Sequence, residues 1–181
     1  MIEEKENLPE LPHDFVDHLI QEWHVVHPNL DLEGVALVAR LVRLSQYFTN
    51  RLDTNFDSFG TNRGEFEVLA ALARHPETSL TPKEIHRKIL VSSGGLSNRL
   101  RRLEEKGLIR RDEDPCDGRG VIVKLLPKGQ RLVDKVLFTH VAIEKQLVQG
   151  LNAQEKEQLI AIMKKLLVAQ PVSLNLQDRV K

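Results

Sequence analysis

From Thr81 to Gly129 the chain carries a closely punctuated series of helix starts, stops and turns. Thr81-Pro82-Lys83-Glu84 places a hydroxyl at the N-cap, proline at N1 and a carboxylate at N3, which together satisfy and pre-set a first helical turn. The pattern predicts a short helix ending near Leu90. Ser92 or Ser93 is then expected to cap a second helix through Leu96, Leu100 and Leu103, with Gly107 in the C′ position that ends it. Leu108–Arg111 and Gly120–Leu125 read as two strands joined by a Pro/Gly/Asp turn, and Pro127 opens a further helix. Helix, turn, helix and hairpin in so short a stretch leave few folds open.

The flanks are helical. Residues 1–11 read as a tail. A first helix is expected from Pro12 to about Val26, with Phe15, Leu19 and Trp23 at steps of four. Pro28-Asn29 breaks it, and Asp31 is placed to cap a long helix over roughly 32–55. On that helix Val35, Val38, Val42 and Leu52 follow one face, while Leu37, Leu41, Leu44 and Phe48 follow another. Two apolar faces imply burial on two sides, against its own subunit and against a second copy. Asn62-Arg63-Gly64-Glu65 resembles a capping box for a helix to about Arg74, stopped by His75-Pro76. The helix from Pro127 should reach about Gln149, and Asn152-Ala153-Gln154-Glu155 caps a last one. The tail after Pro171 carries no helix signal.

Charge is unevenly spread. The chain is neutral overall, yet Thr81–Arg131 holds thirteen Lys and Arg against seven Asp and Glu, a local +6 balanced by −6 elsewhere. A basic middle between acidic ends is an electrostatic footprint for a polyanion. At about 100° per residue, Leu96, Leu100 and Leu103 share one narrow stripe of the second helix. Opposite lie Gly94, Asn98, Arg101 and Glu105, with Ser97 and Arg102 on the flanks. Arg can bridge guanine O6 and N7, and Asn can bridge adenine N6 and N7. Ser92 and Ser93 at the helix start suit phosphate, and Gly94-Gly95 lets the backbone come close. An ordinary amphipathic helix would explain the leucines equally well, but not the glycine-rich entry followed by three arginines. The expected partner is duplex DNA.

The order Leu103-Glu104-Glu105-Lys106-Gly107-Leu108-Ile109-Arg110-Arg111, then Asp114-Pro115-Cys116-Asp117-Gly118-Arg119-Gly120 and Leu125-Leu126-Pro127-Lys128-Gly129, resembles the MarR family of winged helix-turn-helix regulators. The family pattern is a leucine-rich recognition helix, a wing with Asp-x-Arg, and a Leu-Thr-x-x-Gly start to the next helix. Leu126 departs from it, standing where the family has a capping Thr. The resemblance spans about Leu32 to Leu167. It implies a mainly α fold with a small β-hairpin wing: a winged helix-turn-helix lobe at 57–126, between dimerisation helices at 1–56 and dimerisation helices plus a tail at 127–181. It implies a homodimer on a pseudo-palindromic operator, with half-sites about one helical turn, roughly 34 Å, apart. Arg119 is then the wing residue for the minor groove, and Asp117 braces it or a neighbouring Arg. Asp117-Gly118 also serves simply as a hairpin turn.

A finer resemblance links the extra first helix, Trp23 and His27-Pro28-Asn29-Leu30-Asp31 to the subgroup containing urate-responsive regulators. It implies an anionic or phenolic effector near Trp23, Glu67, Arg74 and Arg99, with Glu67 in place of an Asp. The alternative is that Trp23 is core and both arginines pair with structural acids. Cys116 on the wing and the histidines His13, His18, His24 and His27 leave redox- or metal-responsive regulation open, as is a DNA-binding protein without an effector. There is no P-loop, nucleotide-binding glycine pattern, nucleophile elbow or H-E-x-x-H motif, so neither enzyme activity nor a cofactor is expected. One cysteine, the lack of an apolar run of about eighteen residues and an acidic N-terminus point to the cytoplasm, without membrane association.

Overall fold

The computed structural model describes residues 11–89, 95–114 and 117–170, and of residues 114 and 117–119 the backbone alone. The elements are α1 (Phe15–Val26), α2 (Glu33–Ser58), α3 (Arg63–Ala73), β1 (Ser79–Leu80), α4 (Pro82–Lys88), α5 (Leu96–Glu105), β2 (Ile109–Asp114), β3 (Asp117–Leu125), α6 (Pro127–Leu147) and α7 (Ala153–Val168). The architecture is mainly helical with one small antiparallel sheet of order β1-β3-β2. Two compact units divide the chain, Met1–Asn50 and Arg51–Lys181.

In the first unit α1 starts at Phe15, three residues later than the periodicity predicts. The Asp14 carboxylate accepts from the Val16 and Asp17 amides, and the Asp14 amide donates to the Asp17 carboxylate. This closed box fixes the start and leaves Pro12 outside. Arg40 of α2 donates to both carboxylates, at 2.8 Å to Asp14 and 2.6 Å to Asp17. The Arg40 bond lowers the pKa of Asp14, and the bond from the Asp14 amide, followed by that from Arg40, lowers the pKa of Asp17.

The second unit is built on Leu69, Leu72, Ile85, Ile89, Leu103, Ile109, Val123 and Val136, all fully buried. The Thr81 box forms as expected, the Thr81 hydroxyl accepting from the Glu84 amide. At Asn62 only half a box forms: Asn62 accepts from the Glu65 amide, but the Glu65 side chain turns inward to other partners. β1 carries no sequence signal because two residues are too few for alternation. Pairing defines it, with Ser79 opposite Lys124 and Leu80 opposite Val123.

The entry to α5 differs from expectation. Its N-cap is Gly95 at φ 100°, with no side-chain cap, rather than Ser92 or Ser93. Glycine enters this left-handed conformation without a Cβ penalty, and the helix starts too late for either serine to cap it. The exit is as expected: Gly107 at φ 66° donates to Glu104 O, and Leu108 donates to Leu103 O. At the start of α6, Leu126 is the N-cap and makes no side-chain bond. Gly129 is essential there, since a Cβ would lie 2.3 Å from Leu108 O. α7 buries none of its residues within the chain.

Candidate nucleic-acid interface

α4 and α5 form the helix-turn-helix, and β2–β3 form the wing. Leu96, Leu100 and Leu103 are buried as the angular reading predicts, which turns Ser97, Asn98, Arg101 and Arg102 to solvent. Arg101 is held in place before any partner arrives. Its Nη1 donates to Glu105 Oε1 at 2.6 Å and its Nη2 to Asn98 Oδ1 at 2.7 Å. The three side chains form a polar row along the exposed face, with a guanidinium at its centre.

The helix is tied at its far end to the rest of the lobe. Glu104 accepts from Arg111 Nε at 2.8 Å and from the Arg111 amide at 3.0 Å, joining α5 to the first wing strand. That side-chain bond from Arg111 holds the Glu104 carboxyl below its usual pKa. Lys106 donates to Gly60 O at 3.1 Å and to Glu65 Oε2 at 2.6 Å. Glu65 is 2% exposed, so this is a buried carboxylate matched by a half-exposed cation. In the wing, Asp112 faces Lys124 and Arg110, whose bonds lower its pKa, Lys124 contributing most. Ser92, Ser93, Gly94 and Cys116 lie outside the described residues, as do the side chains of Asp117 and Arg119.

On its inner flank α5 presents Arg99, at the edge of the leucine stripe. The guanidinium lies against Gly64 of α3: a Cβ there would sit 2.7 Å from Arg99 Nε and 2.8 Å from its Cζ. Arg99 Nη1 and Glu67 Oε2 are both buried and unbonded among the described residues. Burial raises the Glu67 pKa, opposed by the positive charges of Arg63, Arg99 and Arg74. Arg63 is itself paired to Asp53 at 3.1 Å. Glu67, Arg74 and Arg99 thus come together as one cluster in the second unit. Trp23 belongs to the first unit, where it is 45% exposed and stacks on His27 at 5.8 Å. Arg63, Gly64 and Glu65 carry no motif in the sequence that marks them as site-building residues. A glycine in a first helical turn, where a helix former is the better choice, was the available signal.

These features define a winged helix-turn-helix DNA-binding protein. The MarR family model matches residues 59–120, which cover α3 to the wing. HTH-type transcriptional regulator PecS of Dickeya dadantii is 30% identical over 149 residues, 82% of this chain and 90% of PecS. Among solved structures, Sco3205, a MarR family regulator from Streptomyces coelicolor in complex with DNA, aligns with a TM-score of 0.70 at 24% identity, covering 80% of this chain and 96% of that one. BpsR of Bordetella bronchiseptica, whose DNA binding is regulated by 6-hydroxynicotinic acid, aligns with a TM-score of 0.65 at 22% identity over 74% and 94%. The chain belongs to the MarR family. It is a DNA-binding transcriptional regulator, and the family is one of regulators, not enzymes. No helix among the described residues is long and apolar enough to cross a membrane.

Proposed function

We propose that this protein is a cytoplasmic, ligand-responsive repressor that binds a pseudo-palindromic operator as a homodimer. The observation that carries the reading is the exposed row Asn98–Arg101–Glu105 on a helix fastened to its lobe. Arg101 presents a donor fork suited to guanine, Arg102 and Ser97 flank it for phosphate, and Arg119 is assigned to the minor groove. Ser92, Ser93 and Gly94 are assigned to phosphate at the helix entry, and Asp117 to bracing the wing arginine.

Dimerisation is assigned to the segments 1–56 and 127–181, on either side of the DNA-binding lobe at 57–126. Support comes from apolar surface that the single chain leaves uncovered. Phe138 on α6 is 86% exposed, Ile162 and Leu167 on α7 are each 56% exposed, and Leu37 on α2 is 63% exposed. Patches of this kind on a monomer mark an interface.

The effector site is assigned to Glu67, Arg74 and Arg99. One carboxylate with a raised pKa among arginines, with buried donor and acceptor atoms unbonded, suits a small anionic or phenolic ligand. Trp23 enters this proposal on the resemblance alone. A ligand releases DNA only if it binds the two states of the dimer unequally.

Selection of bound sequences from randomised duplex DNA at two salt concentrations tests the reading. The expected result is a palindromic consensus with half-sites about one turn apart, followed by release with urate or a phenolic acid. Binding without sequence enrichment, lost at moderate salt, would reduce the basic middle to phosphate attraction. A consensus that no small anion disturbs would leave a regulator without an effector.

A further inference from the structure

The bonds within the Asn98–Arg101–Glu105 row decide which donors and acceptors it can offer a base pair. Arg101 Nη1 donates one proton to Glu105 Oε1 at 2.6 Å, and its Nη2 donates one to Asn98 Oδ1 at 2.7 Å. Each terminal nitrogen therefore keeps a second proton. An arginine only donates, so the atom of Asn98 that faces it must be the carbonyl oxygen. Asn98 is left with its amide protons, and bridging adenine N6 and N7 would turn its oxygen away from Arg101. The Glu105 carboxylate only accepts, and it makes no other hydrogen bond among the described residues. Glu104, the neighbouring acid, is taken up by Arg111. The Arg101 and Glu105 side chains are each more than half exposed.

The order of these groups matches one base pair. In the major groove a G·C pair presents guanine N7 and O6 as acceptors and then cytosine N4 as a donor, whereas A·T presents acceptor, donor, acceptor. O6 and N4 are adjacent, being joined by the pair's own hydrogen bond. A guanidinium fork on N7 and O6 therefore brings the carboxylate bonded to it beside N4. On A·T the same carboxylate would meet thymine O4, an acceptor. On C·G the order is reversed, while Glu105 stays on the C-terminal side of Arg101 along α5. The phosphates of any duplex repel a carboxylate, and a base amino group is what offsets that repulsion. Glu105 thus contributes selectivity rather than affinity.

We propose that Glu105 is a specificity-determining residue of the recognition helix, accepting from cytosine N4 in the base pair whose guanine Arg101 holds; this rests on the operator reading above.

The selected operator supplies the test. Selection repeated with Arg101→Ala identifies the pair that Arg101 reads, as the position where preference relaxes, and that pair should be G·C. Its cytosine is then replaced by 2-pyrimidinone, which lacks the 4-amino group and leaves guanine N7 and O6 in place. In fluorescence anisotropy, wild type should bind the altered operator about tenfold more weakly. Glu105→Ala should bind the two operators within about twofold of each other, because the acceptor for the amino group is gone. Replacing the guanine by 7-deazaguanine should weaken both proteins alike, since each retains Arg101. The proposal is overturned if wild type does not distinguish the two operators, if Glu105→Ala distinguishes them equally, or if the pair read by Arg101 is not G·C. The first of these is measured on wild type, so it stands even if Glu105→Ala fails to fold. A selection that yields no consensus would overturn the operator reading and this assignment with it, whereas the other three outcomes overturn this assignment alone.

Discussion

Replacing Lys106 with methionine should destabilise the protein by about 2–3 kcal/mol, although Lys106 is a surface residue. The cost arises at Glu65. That carboxylate is 2% exposed and has two side-chain partners, Lys106 Nζ at 2.6 Å and the Thr61 hydroxyl at 3.3 Å. Without Lys106 the charge keeps only the longer bond. Breaking a fully buried pair costs about 3–5 kcal/mol. Lys106 is 40% exposed, so water reaches part of the site and the cost falls to about 2–3 kcal/mol, below that range. Glu65→Leu should cost less, about 1 kcal/mol, because the stranded partner is then an ammonium that solvent can reach. The double variant Glu65→Leu/Lys106→Met should recover most of the Lys106→Met loss, since no charge remains to be buried. Urea unfolding of all four proteins at one fixed concentration measures this. The concentration must be fixed because subunit association adds to apparent stability. In thermal unfolding, Lys106→Met should lower Tm by roughly 5–10 °C. The reasoning fails if Lys106→Met costs less than Glu65→Leu, or if the two single losses simply add in the double variant.

Gly129→Ala should cost at least about 1–3 kcal/mol, because its Cβ would meet Leu108 O, a backbone atom already held by the Leu126 amide at 3.0 Å; unchanged urea unfolding would contradict the close approach of α6 to Leu108. Burial raises the Glu67 pKa above the usual 4.5. The native state therefore binds that proton more tightly than the unfolded chain, and stability falls as pH rises from the usual value through the raised one. Glu67→Gln should remove that fall and be the more stable protein at neutral pH; parallel stability–pH curves for the two proteins would refute the assignment. Arg101→Ala should weaken binding to the selected operator by about 1–3 kcal/mol and relax preference at one base pair. Glu105→Gln should tighten binding by releasing Arg101 from its ion pair, and fluorescence anisotropy that showed weaker binding would mean that Glu105 instead positions the guanidinium.

Local signals were legible in the chain and distant ones were not. The Thr81 and Asn152 boxes, the Gly107 exit and the Leu96/Leu100/Leu103 stripe depend on residues within one or two turns, so their spacing carries the information. The Asn62 box forms only its first half, because a contact to Lys106, remote in sequence, draws the Glu65 side chain inward. Tertiary pairing outweighed a local bond. Capping preference alone favours serines for the start of α5, whereas the backbone enters through Gly95 at positive φ. β1 exists only through its partner strand. In the candidate site, Arg99 could be placed at the edge of the leucine stripe by angle alone. Its approach to Gly64 required the packing of α3 on α5, whereas Arg63 and Glu67 are neighbours by their spacing of four on α3 alone.

That packing bears on how an effector at the proposed site could act. Arg99 and Arg101 are two residues apart, about 200° around one helix, so one faces the Glu67 cluster and the other faces solvent. A ligand that pulled on Arg99 would have to shift α5 within its lobe to disturb Arg101 directly. Several ties oppose such a shift: Lys106 to Glu65, Glu104 to Arg111, and three buried leucines. The first tie alone is assigned about 2–3 kcal/mol above. Allosteric coupling energies are typically about 1–3 kcal/mol. Breaking even one tie would consume the whole coupling, so the lobe, with helix and wing together, is the unit that an effector at the proposed site would displace. It follows that Lys106→Met should weaken the regulatory response as well as the fold. With that tie gone, α5 can yield locally to the ligand, and less of its binding energy reaches the lobe as a whole. The measurement is the ratio of operator affinities with and without effector, in wild type and variant, under conditions where both are fully folded. An unchanged ratio would show that α5 is not held to its lobe through Lys106.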